Sequence, residues 1–457
     1  MFYSSAISNR DNNNDSIINC NFYDFSKHAI RLENFNDGWI IKGNSFYNTA
    51  NYILDRDAAI IKINSPDVSS YHTITQNYFG GSASGGSGNL MTIDYRSSFT
   101  GIFISGNAFI TNNHFVRMKF SNTTNSTGVS NGSVIRLVYV DSVNAFSSTL
   151  PVISGNEFGS LNVADSLHFT QNFDESNVSV TGIFVRYSNL NGIFNNQFNH
   201  LRCYAATGGV ELTAIYTLEG YTLINDNTIG NPAIINNIIN CSNAPSIGIS
   251  TVGSIVRIHN NTISSITNTT SCSAAAVRGI FVNSGYLDSI YNNTISHLTN
   301  SIGSSSDYAA LSGIYVSAGS GGYGNLVAGN HIHNLQNKSE GNFTTIAGLV
   351  LRNYITAESN FIHTLTFANS VSTTIYGILV PGNESDLRNN MVNLGLDSNG
   401  NSITAANINF VGVSGGHVIT HNSIYIGGNN VEDGFLGSIA YSFPGNALPT
   451  ACVNNIF

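Results

Sequence analysis

The chain has 457 residues, of which 42% are hydrophobic and only 9% charged, with a net charge of -9. An average domain carries roughly 25% charged residues, so the polar surface here must come from Asn, Ser, Thr and Gly, while the 26 Phe and 21 Tyr rule out a core-less disordered chain. The 17 basic residues are scattered singly and no apolar run reaches the ~18 residues of a membrane-spanning helix, which excludes a nucleic-acid footprint, a polybasic membrane patch and helical membrane insertion.

The start, Met1 to Ser5, has no basic region followed by an apolar core, so no signal peptide is visible. A partial repeat follows, Ile18-Asn19-Cys20-Asn21-Phe22. From there one phrase returns along the chain: Asn, any residue, then Phe, Ile or Val. It reads Asn44/Phe46, Asn77/Phe79, Asn107/Phe109, Asn156/Phe158, Asn196/Phe198, Asn227/Ile229 and Asn261/Ile263. It continues as Asn293/Ile295, Asn330/Ile332, Asn360/Ile362, Asn390/Val392, Asn422/Ile424 and Asn455/Phe457. Asn tolerates a left-handed bend better than other non-Gly residues, so each phrase reads as a bend followed by an inward-facing residue.

Before each bend, two mostly apolar residues bracket an outward one, the period of a half-buried strand. The series runs Ile30-Arg31-Leu32, Ile61-Lys62-Ile63, Met91-Thr92-Ile93, Ile135-Arg136-Leu137, Ile183-Phe184-Val185 and Ile215-Tyr216-Thr217. Ile247-Gly248-Ile249, Ile280-Phe281-Val282, Ile314-Tyr315-Val316, Leu349-Val350-Leu351, Ile378-Leu379-Val380, Val411-Gly412-Val413 and Ile439-Ala440-Tyr441 complete it. The central residues stand about 32 apart, except for 44 from Thr92 to Arg136 and 48 from Arg136 to Phe184. Such a period predicts a solenoid, with insertions near residues 116–133 and 159–181. Three short parallel strands per coil, in about thirteen coils, would give a stack on the order of 60 Å long. Both ends fall within a repeat, which predicts a segment of a longer chain, residues 1–457 forming a single continuous helix of strands.

The bracketed strand, the Asn bend and the Ile or Phe after it resemble the right-handed parallel β-helix, pectin-lyase-like superfamily over about residues 18 to 457. The resemblance implies an all-β, right-handed parallel β-helix. It also implies that any substrate lies along the outward face of the first strand. On that face the early coils carry Arg31, Glu33, Lys62, Asp94, Arg96 and Arg136. Glu33 and Asp94, read as two rungs apart, would stand roughly 10 Å from each other, near the separation of an inverting glycosidase pair, with Lys62 between them. The competing reading is a set of solvated cross-rung ion pairs. The clustered aspartates of the polygalacturonases are not found.

Later coils place Phe184, Tyr216, Phe281 and Tyr315 on the same face, interrupted by Gly248. That stripe would stack on sugar rings, pack against another copy of a surface protein, or lie under loops. His331, His333 and His363 fall together but lack a neighbouring carboxylate or thiol, so no metal and no cofactor is expected. Cys241 and Cys272 lie about one repeat apart and are spaced to stack; whether they pair is open. The function expected is a non-catalytic structural or adhesive solenoid of an extracellular or cell-surface protein, with a glycan or another copy as partner. The alternative is a polysaccharide lyase or glycoside hydrolase using Glu33, Lys62 and Asp94.

Overall fold

Alternating apolar and polar residues interrupted by left-handed bends fold into short parallel strands, each paired with its counterpart one coil away. A computed structural model of the chain describes residues 1–6, 13–34, 36–54, 57–65, 71–95, 97–122, 134–141, 152–172, 177–206, 208–269, 276–283, 287–301, 308–318, 324–338, 344–368, 373–382, 385–403, 408–427, 438–443 and 449–457. It is a parallel β-solenoid that divides into two compact units, Met1–Gly230 and Asn231–Phe457. No helix among the described residues is long and apolar enough to cross a membrane.

In the first unit the first-strand stack runs through Phe2–Ala6, Ile30–Asn34, Ala58–Asn64, Phe99–Ser105, Val134–Val140 and the leading parts of Val178–Phe194 and Val210–Asn225. The second-strand stack includes Ile40–Lys42, His72–Thr75, Ala108–Thr111 and Val152–Ser154. The third includes Ser45–Tyr47, Tyr78–Phe79, His114–Phe115, Glu157–Phe158 and Gln197–Phe198. A fourth stack, not foreseen from the sequence, is built from Tyr52–Leu54, Met91–Tyr95, Met118–Asn122, Leu167–Gln171 and Leu201–Ala205. The fourth strands take up part of the length assigned to insertions, so Phe169 is a core residue stacked on Phe120 at 5.3 Å.

The second unit repeats the plan. Its first strands include Val277–Asn283, Leu311–Ser317, Thr344–Arg352, Thr373–Leu379 and Ile408–Ser414. Third and fourth strands merge in His331–Asn337 and Phe361–Phe367, which pair along their whole length.

Register corrects several assignments. Met91-Thr92-Ile93 lies in a fourth strand; the first strand of that coil is Phe99–Ser105, whose Ile102, Phe103 and Ile104 pair with Ile61, Lys62 and Ile63. In the next coil Val138, Tyr139 and Val140 take those places, not Ile135-Arg136-Leu137. Ser250, not Gly248, aligns with Phe281, and Ser414, not Gly412, with Leu379, whereas Ile439 and Tyr441 pair with Val411 and Val413 as their triplets predict. Directly ahead of the triplet in most coils stands a glycine that the ladder pairs pass over on both strands without a shift of register: Gly101, Gly182, Gly248, Gly279, Gly313, Gly348, Gly377 and Gly412. A Cβ on Gly313 would stand 2.5 Å from Ile332 Cγ2 and 2.8 Å from the Gly348 carbonyl oxygen. At Gly313 the post-bend Ile332 fills the space that a side chain would need, whereas Ile60, Leu137 and Ala214 hold the same place in coils of the first unit. Gly313→Ala is expected to cost about 1–3 kcal/mol by overpacking, read as a lower urea midpoint.

The Asn bends form a ladder of amides. Asn44 Nδ2 donates to Asn77 Oδ1 at 3.0 Å and, one coil back, to the Ile17 carbonyl at 2.8 Å, while Asn77 Oδ1 also accepts the Asn44 backbone N–H at 2.9 Å. The pattern repeats through Asn113, Asn156, Asn196 and Asn227 in the first unit. In the second it runs Asn261, Asn293, Asn330, Asn360, Asn390, Asn422 and Asn455. The third rung is thus Asn113 and Phe115, not Asn107 and Phe109, and Phe109 faces outward against Tyr71. The left-handed residue is also not the ladder Asn but the one before it. Gly43, Gln76, Asn112, Gly155, Asn195, Asp226, Asn260, Asn292, Gly329, Ser359 and Asn389 all have positive φ. That residue turns the chain; the ladder Asn behind it, in ordinary backbone, closes the hydrogen bonds. Behind the ladder, Phe46, Phe79, Phe115, Phe158 and Phe198 stack with centroids 4.5 to 5.1 Å apart.

Candidate functional site

On the first-strand face of the first unit the charges meet one another. Arg31 Nε donates to Glu33 Oε1 at 2.7 Å, and Lys62 Nζ, on the next rung, lies 3.9 Å from the same oxygen. Asp94 is buried on the fourth strand, paired with Ser121, and so stands in a different sheet from Glu33. The expected pair of carboxylates flanking Lys62 is not brought together, because the triplet that placed Asp94 on that face belongs to another strand. Arg96 lies outside the described residues, as does Cys272; Cys241 carries a free thiol that accepts from Thr269 Oγ1 at 2.8 Å. Glu211, a further carboxylate on the first strand, has its pKa raised by burial.

The aromatic stripe is packed, not open. Phe184 stacks on Tyr216 at 5.1 Å and is 6% exposed. Arg136 lies across the rings of Tyr139 and Phe184, 4.5 and 4.4 Å from their centroids, so it is a lid on the aromatics and not a free charge. In the second unit Arg278 lies in the same way over Phe281 and Tyr315. Tyr315, Val350 and Leu379 are buried with Ala309 and Ala347, and Phe281 and Tyr376 pack against them. Of the four ring positions, Phe184 and Tyr315 are buried and Tyr216 and Phe281 half-buried.

Concave surface lies elsewhere: a pocket of about 530 Å³ in the first unit, lined by Asn48, Thr49, Ser82, Thr92 and Lys119 among others, and, within the second unit, a groove along the bend from third to fourth strand. That groove, of about 410 Å³, is lined by Ser265, Thr267, His297, Thr299, Asn334, Gln336, Lys338, Thr364 and Thr366, with Ile235 and Asn236 toward one end and Asp397 and Ser398 toward the other. Two columns make its floor. Thr267, Thr299, Gln336 and Thr366 are successive register partners. Asn236, Ser265, His297, Asn334 and Thr364 occupy the bend itself, each with φ between 53 and 55°. A left-handed residue between two strands throws its side chain outward, so each coil adds one polar group to the column about 4.8 Å from the last. Neighbouring groups already bond: Thr267 Oγ1 donates to Asn236 Oδ1 at 2.8 Å, and Asn334 Nδ2 lies 3.1 Å from His297 Nε2.

Next to the groove sits a smaller cavity of about 260 Å³, lined by His363, Asn393 and the turn Leu396 to Gly400. Asp397 is held below the usual carboxylate range by the backbone N–H groups of Asn401 and Asn399, so it organises its own turn. The histidines gather here as expected. His331 and His333 share a face of one strand, and His363 pairs with His333 on the next. Burial lowers the pKa of His297, His331 and His363, and lowers that of His333 to about 4, with the other imidazoles adding to the effect. Among the described residues no three or more His, Cys, Asp or Glu side chains are arranged to hold a metal ion.

His297, Asn334, Thr299 and Gln336 were missed by reading the sequence, although a signal was available. The polar residue before the inward Leu298 or Leu335, and the polar residue after it, recur in register coil after coil. Comparison with protein-family models, with curated proteins and with solved structures found no match to this chain.

Proposed function

We propose that this chain is a non-catalytic structural or adhesive solenoid of an extracellular or cell-surface protein, of the pectin-lyase-like kind, and that the third-to-fourth-strand groove is its adhesive face. The observation that carries the reading is the groove floor: hydroxyl, amide and imidazole groups at strand spacing in an open trough. Such a floor offers both donors and acceptors at a regular interval, which suits a linear chain of neutral sugars whose hydroxyls do the same. On the first-strand face the carboxylate of Glu33 is already engaged by Arg31 and Lys62, and the rings expected to stack on sugar are packed under arginines.

The test compares binding and product release on a panel of neutral and acidic polysaccharides. Wild type is expected to bind a neutral glycan without cleaving it. A Thr299→Ala, Gln336→Ala double variant should bind roughly tenfold or more weakly, the loss of two hydrogen bonds, with an unchanged melting temperature. Product release that disappears in Glu33→Gln or Asp94→Asn would overturn this in favour of a lyase or hydrolase.

A further inference from the structure

We propose that His331 and His363 form a binding site for a divalent late transition-metal cation, zinc or nickel in character, with Asn393 supplying an oxygen from the next rung. The two imidazoles stand diagonally across neighbouring strands, and their Nε2 atoms face each other at 2.8 Å. In the empty site one of these nitrogens donates its proton to the other. A cation takes the place of that proton, which moves to Nδ1 of His331, and both Nε2 lone pairs then point at the metal. Two nitrogen–zinc bonds in tetrahedral geometry hold their nitrogens about 3.3 Å apart, so the rings need to open by only about half an ångström.

The surroundings fit a ligand pair and not only a hydrogen bond. His363 Nδ1 lies 2.8 Å from Thr364 Oγ1, the outer partner that fixes the ring of a metal-bound histidine. His333 lies flat on His363, centroids 5.1 Å apart and planes within 6°, and Phe361 lies flat on His331 at 5.2 Å, so both rings are held in plane. Asn393 follows His363 in register, and its Oδ1 is buried without a hydrogen-bond partner among the described residues. A buried amide oxygen left unpaired is costly, and a cation would satisfy it. His363 and Asn393 both line the 260 Å³ cavity, which leaves room for water at the remaining coordination positions. The two imidazole donors favour zinc, nickel or copper over magnesium, and the amide oxygen is a weaker, harder ligand beside them.

The full chain, stripped with chelator and dialysed, would be titrated calorimetrically with zinc chloride, nickel chloride and magnesium chloride. Zinc or nickel is expected to saturate at one equivalent, and magnesium to give no binding. His331→Phe places a ring where Phe361 already shows that one fits, and His363→Asn repeats the Asn393 that follows it, so both variants should fold. Each should bind zinc at least about tenfold more weakly than wild type, the lower bound set by the loss of an outer-shell partner. Absence of saturable binding, or wild-type affinity in both variants, would overturn the site. Should either variant melt early, imidazole nitrogen resonances of the wild type decide: zinc must shift those of His331 and His363, and shifts confined to other histidines would overturn the assignment.

Discussion

Asn330→Ala is expected to lower the stability of the second unit by about 4 kcal/mol, seen as a fall in the urea midpoint with an unchanged slope. The Asn330 amide donates to the Ile290 carbonyl and to Asn360 Oδ1, each at 2.9 Å, and its oxygen accepts the backbone N–H and Nδ2 of Asn293, each at 3.0 Å. Alanine leaves the Asn293 N–H buried without an acceptor and removes part of the bonding of three other groups. A single buried, unsatisfied donor costs about 1–3 kcal/mol, so the sum exceeds an ordinary side-chain truncation at a polar site. Asn330→Asp is expected to be worse, because it turns a carboxylate oxygen toward two carbonyl oxygens inside the stack. Asn455→Ala, on a half-buried rung, should cost less, since water can reach the groups it abandons. Equal and small losses in all three variants would show that the ladder does not hold the coils.

The solenoid was legible because its causes are local and repeat. An apolar pair around an outward residue and an Asn behind a bend recur often enough to fix a period without any knowledge of contacts. Register within the period was less legible. Asn107/Phe109 and Asn113/Phe115 both spell the bend phrase, and each has an Ile three residues earlier, Ile104 and Ile110. What separates them is register: Ile102-Phe103-Ile104 pairs with Ile61-Lys62-Ile63 in the first strand, and Ile110 pairs with Ile74 in the second. Taking Met91-Thr92-Ile93 for that first strand moved Asp94 onto the wrong face and with it the notion of a catalytic pair. The fourth strand escaped because runs such as Thr299–Asn300 are too short to show alternation, and because Met91-Thr92-Ile93, which does alternate, reads as a first strand. The ladder intervals, 33, 36, 43, 40 and 31 residues in the first unit, vary with the length of chain between third strand and the next coil. The groove depends on that fourth strand, so it could not be seen until the strand was.

Asp288→Asn is expected to stabilise the protein by up to about 3 kcal/mol at pH 7 and to do little at pH 4. Asp288 lies at the turn between first and second strands, 1% exposed, and its Oδ1 accepts the Val256 N–H at 3.0 Å. In the next coil Asn325 does the same for the Asp288 N–H at 2.9 Å. An amide therefore already serves at this position, and the carboxylate adds only a second oxygen, Oδ2, which has no hydrogen-bond partner among the described residues. Burial pushes the Asp288 pKa up to about 6, against an ordinary 3.8, and the Val256 N–H pulls it down only in part. Because the folded form holds its proton more tightly than the unfolded one, wild-type stability falls as pH rises from about 4 to about 6 and then levels off. About two pH units at ~1.4 kcal/mol each give the 3 kcal/mol. Asn carries no such charge, so the urea midpoints of variant and wild type should converge near pH 4 and separate across that window. A constant difference at every pH would mean that the substitution acts through packing; no difference at pH 7 would mean that the carboxylate finds water or a cation in the folded chain. The same turn thus carries a cost that its neighbour avoids, and the fold tolerates it because the ladders on either side hold the coil in register.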